Sequence, residues 1–104
     1  MGYPKYEDLE KPLLCYIYKY GGSNFQVKSD STYEPLADLF NLTYEERSRS
    51  RNEIHRDGRT EPEWNNMVQW ARRKLKDQGY LAPSAHGQWK LSQKGILAAQ
   101  KFCK

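Results

Sequence analysis

A long amphipathic helix between Thr60 and Gly79 is the feature of this sequence that most constrains its fold. The run Thr60-Glu61-Pro62-Glu63 combines a hydroxyl for capping, a proline suited to the first turn and acids near the positive end of the helix dipole. Apolar residues then share one face at about 100° per residue: Trp64, Met67, Val68, Ala71 and Leu75. We predict that this face packs into a core.

The opposite face of the predicted helix is polar and contains no acidic residue. Its side chains can all donate hydrogen bonds: Asn65, Asn66, Gln69, Arg72, Arg73 and Lys76. The whole chain has 13 acids beside 17 Lys and Arg, with a net charge of +4. Acids are thus common elsewhere in the chain but absent from this face, so we interpret it as a surface that binds a polyanion. The alternative is an ordinary solvated face of a surface helix.

Two shorter helices are predicted upstream, with an extended segment between them. The first ends before Gly21-Gly22 and has apolar residues three and four positions apart: Leu9, Leu13, Tyr16, Ile17 and Tyr20. Phe25-Gln26-Val27 is either an edge strand or an extended link. Ser29 to Ser31 offer N-caps for the second helix, which repeats the same spacing: Tyr33, Leu36, Leu39 and Phe40.

An arginine-rich connection joins the second helix to the long helix. Thr43 and Glu46 have the spacing of a capping box, which predicts one further helical turn. From Arg47 to Arg59 charges of both signs alternate, and Ile54 is the one large apolar residue. We therefore predict a loop over this stretch.

A β-hairpin is predicted directly after the long helix. Residues 80–82 and 88–91 have the composition of short strands, with Trp89 and Leu91 facing one side. Ser92 can cap a last helix that ends around Phe102. The predicted fold is thus mainly α with a small β-hairpin, in the order of a winged helix-turn-helix, as a single domain over residues 1–104.

This order of elements predicts a module that binds double-stranded DNA. In such folds the third helix enters the major groove and the hairpin wing lies beside it. Amides can pair with adenine edges and arginine with guanine, so the base-reading candidates are Asn65, Asn66, Gln69 and Arg72. Arg73 and Lys76 lie farther along the helix, where we expect phosphate contacts. The remaining DNA-binding candidates lie outside the helix: Arg59, His86 and Gln88.

Several short motifs resemble the pattern of the Mrr N-terminal domain family. The clearest is the run Trp70-Ala71-Arg72-Arg73-Lys74-Leu75-Lys76, which continues into Gly79-Tyr80-Leu81. Further counterparts lie along most of the chain: Tyr6-Glu7-Asp8-Leu9, residues 39–46, Trp64-Asn65-Asn66, Gly87-Gln88-Trp89-Lys90-Leu91-Ser92 and Gly95.

The resemblance implies a winged-helix domain of a restriction system that recognises DNA, often modified DNA, for a nuclease domain in the same polypeptide. A methyl mark protrudes into the major groove, and the aromatic residues nearest to the predicted reading face are Trp64 and Trp70. The sequence shows no Asp followed by a Glu/Gln-x-Lys motif in a strand context, so we assign no cleavage to these residues.

The sequence predicts neither a metal site nor an enzyme active site. Cys15 and Cys103 lie far apart and have no metal-ligand spacing, so we expect neither a zinc site nor a disulfide, which fits a reducing cytoplasm. His55 and His86 are the ordinary general-base candidates, and neither adjoins a nucleophile motif. We expect no catalytic centre, no cofactor and no membrane segment.

A protein-docking winged helix is the alternative function. In that case an exposed patch of aromatic residues would form the contact surface. The candidates are tyrosines: Tyr3, Tyr6, Tyr18 and Tyr33. The sequence leaves the oligomeric state, the target sequence and the modified base open.

Overall fold

A computed structural model describes residues 3–21 and 27–103. In these ranges the helices and strands follow one another in this order: α1 (Glu10–Gly21), β1 (Val27–Lys28), α2 (Tyr33–Leu39), α3 (Tyr44–Ser48), α4 (Arg51–His55), α5 (Glu63–Asp77), β2 (Leu81–Ala82), β3 (Gln88–Leu91) and α6 (Gln93–Phe102). Short 3₁₀ helices, Tyr6–Leu9 and Ser29–Ser31, precede α1 and α2. The fold is mainly helical with a small antiparallel sheet in a winged-helix arrangement, which confirms the predicted class.

The apolar face of α5 lies at the centre of the core, as its spacing predicts. Its residues are all buried: Trp64, Met67, Val68, Ala71 and Leu75. Leu13 and Ile17 of α1 are fully buried in the same cluster. Since α1 and α5 share this core, the polar face of α5 is turned away from it.

The two ends of α5 are set by different means. The helix begins at Glu63, and Pro62 occupies the N-cap position without a side-chain hydrogen bond, so the predicted cap at Thr60 is wrong. After Asp77 the chain reverses at Gly79, whose φ of 83° favours glycine. The amide of Tyr80 donates to the carbonyl of Leu75 over 3.0 Å. This Schellman closure turns the chain directly into β2.

The small sheet has three strands in the order β1-β3-β2. Val27 pairs with Trp89, and Leu81 pairs with Leu91, both antiparallel. The segment left open as strand or link therefore contributes a strand at Val27, while Phe25 and Gln26 lie outside the described residues. The predicted hairpin of β2 and β3 is confirmed, and Trp89 and Leu91 both face the core.

The predicted N-caps of α2 are wrong. Thr32 occupies the N-cap position, and its side chain makes no capping bond. The hydroxyl of Ser31 donates to the carbonyl of Lys28, and that of Thr32 donates to the carbonyl of Ser29. These hydroxyls close the preceding 3₁₀ turn instead, because local side-chain bonds to the backbone compete with capping.

The arginine-rich connection is not the loop that its composition predicts. It contains α4, whose N-cap Ser50 accepts a hydrogen bond from the amide of Glu53. Arg51 pairs with Asp57 and with Glu63, each over 2.9 Å. The amide of Arg59 donates to Asp57 and, with the Arg51 guanidinium, lowers the pKa of that carboxyl. Ion pairs between residues several positions apart thus order a stretch that lacks apolar periodicity.

The capping box at the start of α3 is confirmed. Glu46 accepts from the amide of Thr43 over 2.8 Å, and the Thr43 hydroxyl accepts from the amide of Glu46. The hydrogen bond from the Thr43 backbone lowers the pKa of the Glu46 carboxyl. The box fixes where the chain leaves α2 and enters the connection.

The two cysteines correct a further prediction. Cys15 on α1 and Cys103 after α6 form a disulfide, with their Cα atoms 5.6 Å apart. This separation lies in the range of about 4.4–6.8 Å that a disulfide requires. The two cysteines are 88 positions apart in sequence, so no local motif predicted that they meet. They meet because α1 and α6 pack together.

Replacement of Gly95 by alanine is expected to lower the free energy of unfolding by about 1–3 kcal/mol, as overpacking does. Alanine normally stabilises a helix relative to glycine. Here a Cβ at Gly95 would clash with the carbonyl oxygen of Tyr80, a backbone atom that cannot easily move aside. Urea unfolding measures the change. Gln100→Ala on the exposed side of α6 is the control, and a Gly95→Ala variant as stable as that control would contradict the close approach.

Candidate nucleic-acid interface

A concave surface of about 650 Å³ lies between α5 and the wing, which we define as residues 81–91. We call it the wing groove. It is lined by Ser29, Tyr33, Gln69, Arg72, Lys76 and residues 81–90. The groove exists because the turn at Gly79 folds the wing back beside the helix that precedes it.

One row of polar side chains on α5 forms a wall of this groove. Gln69, Arg72 and Lys76 are three and four positions apart, so they lie above one another on the helix surface. Gln69 and Lys76 are exposed, and Arg72 is half-buried. The wall thus offers an amide and two cations to a ligand.

The wing supplies the opposite wall. Gln88 and Lys90 alternate along β3 with the buried Trp89 and Leu91, so they lie on the side away from the core. The wing turn is closed by a hydrogen bond of 3.0 Å from the amide of Gln88 to the carbonyl of Ala85. Because this turn is held by its own bonds, the wing is a defined surface rather than a loose loop.

The charged residues that line the wing groove are all basic. Its lining residues include Arg72, Lys76 and Lys90 but neither Asp nor Glu. Within residues 3–21 and 27–103, these three cations form no ion pair with an acid.

Two arginines of the connection, Arg47 and Arg51, are in contrast paired with acids. Arg47 contacts Glu34 and Asp38 over 2.8 Å and 2.7 Å. Arg51 is held between Asp57 and Glu63, as described above. Arg47 and Arg51 are therefore neutralised, whereas the groove cations, which pair with no acid among the described residues, are available to a polyanion.

The structure brings some of the sequence-predicted site residues together and leaves others apart. Those that line the wing groove are Gln69, Arg72, Lys76, His86 and Gln88. Asn65 continues the same row of α5 toward its N-terminus, beyond the groove lining. Asn66 and Arg73 lie about 100° around the helix from Asn65 and Arg72, outside the groove. Arg59 lies in the connection, 4.0 Å from a carboxylate oxygen of Glu61.

The tryptophans named as candidate contacts for a methyl mark pack within the protein. Trp64 is 1% exposed, so a contact between its ring and DNA is ruled out. Trp70 is half-buried, and its ring centroid lies 4.8 Å from that of Tyr6. These rings hold α5 in place rather than face the wing groove.

Sequence reasoning missed Ser29, Tyr33 and Lys90 as groove residues. Tyr33 was assigned to the apolar stripe of α2, and no motif placed it beside α5, which begins 30 positions later at Glu63. Lys90 had a usable signal, because it alternates with two core residues in a predicted strand and must therefore face outward.

Residues 6–101 match the model of a family described as the Mrr N-terminal domain. The chain belongs to this family. No curated protein and no solved structure gives a match to the chain. The family match confirms the resemblance that the sequence motifs indicated, and it links this Mrr N-terminal domain to Mrr-type restriction systems.

The matched family is the N-terminal part of Mrr and not its nuclease domain. In the described part of this Mrr N-terminal domain, no group of three or more His, Cys, Asp or Glu residues is arranged to hold a metal ion. None of the described helices has the length and apolar character needed to span a membrane.

Proposed function

We propose that this Mrr N-terminal domain binds double-stranded DNA through the wing groove, with α5 in the major groove and the wing alongside. One observation carries the proposal: among the described residues, three cations line the groove without an acid partner, and no acid lines it. A major groove about 12 Å wide accepts one α-helix, and duplex DNA presents phosphates on both sides of it. The groove cations match that pattern of charge.

Within this proposal the residues have different roles. Gln69 and Arg72 read base edges from the centre of α5, and Asn65 and Asn66 extend the reading surface toward the helix N-terminus. Phosphate contacts are assigned to lining residues of the groove and to two arginines outside it: Lys76, His86, Gln88 and Lys90, with Arg59 and Arg73. Phosphate contacts set affinity and orientation, whereas base contacts set the preferred sequence.

The proposal extends to modified DNA, to a nuclease domain in the same polypeptide and to action in the cytoplasm, where cellular DNA is met. With Trp64 buried, a methyl group in the major groove would have to meet other apolar side chains. Leu81 and Pro83 line the wing groove and offer such contacts. We assign them this role.

Fluorescence anisotropy with labelled duplexes tests the proposed function. Three duplexes of one sequence are compared: one is unmodified, one contains 5-methylcytosine and one contains N6-methyladenine. Binding to each is measured at salt concentrations from low to physiological. Affinity is expected to fall with a log–log slope of about −0.9 for each phosphate neutralised. Absence of binding at low salt would contradict the proposal, and equal affinity for all three duplexes would contradict recognition of these marks.

Replacement of Arg72 by alanine is expected to weaken DNA binding by about 1–3 kcal/mol and to relax the base preference at one position. Arg73→Ala removes the same charge from the neighbouring position, outside the groove. As a phosphate contact, Arg73 should instead weaken all duplexes alike and reduce the salt slope by about one. Anisotropy on the preferred duplex measures both variants, and an Arg72→Ala protein of unchanged affinity would disprove the reading role.

The tyrosines on which the protein-docking alternative depended are engaged within the fold. All are partly buried and pack against the core: Tyr3, Tyr6, Tyr18 and Tyr33. The hydroxyl of Tyr3 also donates to the carbonyl of Glu46 over 2.6 Å. The structure thus gives these tyrosines contacts inside the protein, which disfavours a docking patch built from them.

A further inference from the structure

One hydrogen bond in the wing groove links two elements that are distant in sequence. The side-chain amide nitrogen of Gln69 donates to the hydroxyl oxygen of Tyr33 over 2.9 Å, across 36 positions. Tyr33 is the first residue of α2, and both side chains line the groove. The bond therefore acts on a side chain that faces the proposed ligand.

The backbone of Tyr33 is itself tied to α5. Its carbonyl accepts a hydrogen bond of 2.8 Å from the indole nitrogen of Trp64, which is buried in the core. Tyr33 thus touches α5 at residue 64 through its main chain and at residue 69 through its hydroxyl. Two attachments to one helix hold the phenol in a fixed place beside the amide.

The hydrogen bond also limits what the Gln69 amide can offer to a ligand. A primary amide has two N–H donors and one acceptor oxygen. With one N–H given to Tyr33, an oxygen acceptor and one donor remain. This is the pair that binds the N6 amino group and the N7 atom of adenine in the major groove. Without the Tyr33 oxygen as acceptor, this orientation of the amide loses the hydrogen bond that favours it.

We propose that Tyr33 is a positioning residue that orients Gln69 to read adenine in the wing groove. The inference rests on the proposed function and names the base that this site selects. Tyr33 acts through Gln69 and needs no contact of its own with DNA.

The test compares base preference among four proteins: the unaltered domain, Gln69→Ala, Tyr33→Phe and Tyr16→Phe. Tyr16 is a matched control, because its hydroxyl also makes an exposed hydrogen bond, 3.0 Å to the carbonyl of Ser31, yet it does not line the groove. Each protein selects from duplexes with a randomised centre at low salt. The retained duplexes are sequenced, and affinities are then measured for the best duplex and for its adenine-to-guanine counterpart.

The unaltered domain is expected to select an adenine with a preference of about 5- to 150-fold over guanine, the range for one bidentate contact. Gln69→Ala should lose this preference, Tyr33→Phe should lose most of it, and Tyr16→Phe should keep it. Thermal unfolding of each variant is measured alongside, and a structural role alone would change stability without changing the base selected.

Three results would overturn the inference while leaving DNA binding intact. The unaltered domain could bind duplexes without selecting adenine, Tyr33→Phe could keep the full preference that Gln69→Ala loses, or Tyr16→Phe could lose as much as Tyr33→Phe. Failure of the unaltered domain to retain any duplex would instead overturn the proposed function, and this inference with it.

Discussion

Replacement of Trp64 by alanine is expected to lower the free energy of unfolding by about 3–5 kcal/mol, the usual cost of removing a buried aromatic side chain. The indole is buried and lies near two other rings, with centroids 6.4 Å from Tyr3 and 6.1 Å from Phe40. Its nitrogen also donates to the Tyr33 carbonyl. Because a domain has a total stability of about 5–15 kcal/mol, this one change removes a large share of it.

Two matched variants separate the contributions of Trp64. Trp64→Phe keeps an aromatic ring but leaves the Tyr33 carbonyl without its donor, so an intermediate loss is expected. Trp70→Ala removes a half-buried indole from the same helix and should cost less than Trp64→Ala. Urea unfolding followed by tryptophan fluorescence and circular dichroism measures all three. Equal losses for Trp64→Ala and Trp70→Ala would contradict the central position of Trp64.

The folded Trp64→Phe protein also tests whether the Trp64 ring contributes to the recognition of methylated DNA. Trp64 adjoins the predicted reading face in sequence, yet its burial keeps the ring from any ligand. The Trp64→Phe protein should therefore discriminate between methylated and unmethylated duplexes as well as the unaltered domain does. A changed discrimination in a stably folded variant would mean that Trp64 influences the reading face, either by direct contact or through its hydrogen bond to Tyr33.

The parts of the fold that sequence could predict are those with local periodicity. The five core residues of α5 follow the helical repeat, and Trp89 and Leu91 follow the strand repeat. Burial in each case is a property of one face of one element, so a short window contains the whole signal. The same logic placed Gln69, Arg72 and Lys76 on the polar face of the helix, together with Asn65, Asn66 and Arg73.

The parts that sequence could not predict depend on contacts between distant residues. The connection looked like a loop because its order comes from ion pairs, such as that of Arg51 with Glu63, and not from apolar spacing. Tyr33 joined the wing groove because α2 packs against α5. No local pattern shows which surface a half-buried tyrosine will face once two helices meet.

The separation of paired from unpaired cations is also a property of the fold. In sequence, Arg51 and Arg72 are both arginines in charged surroundings. In the structure, the side chain of Arg51 lies between two carboxylates, whereas Arg72 faces a groove whose described lining residues include no acid. Net charge therefore predicted a polyanionic partner, but the fold decides which cations are available to bind it.

Reduction of the bond between Cys15 and Cys103 is expected to lower the free energy of unfolding by about 2–4 kcal/mol. The bond joins α1 to the end of α6 and closes a long loop, with the cysteines 88 positions apart. A cross-link of this span restricts the unfolded chain strongly, and that restriction is lost on reduction. Urea unfolding with and without a thiol reductant measures the effect.

The double variant Cys15→Ser/Cys103→Ser supplies the control, because its stability should match that of the reduced protein and should not respond to reductant. Equal stability of the oxidised and reduced protein would contradict a stabilising cross-link. Neither cysteine lines the wing groove, so the affinity of the folded, reduced protein for DNA should be unchanged. Thiols are kept reduced in the cytoplasm, where we propose that the domain acts. There the core around Trp64 must hold the groove in shape without the cross-link, which is why Trp64→Ala should be most damaging under reducing conditions.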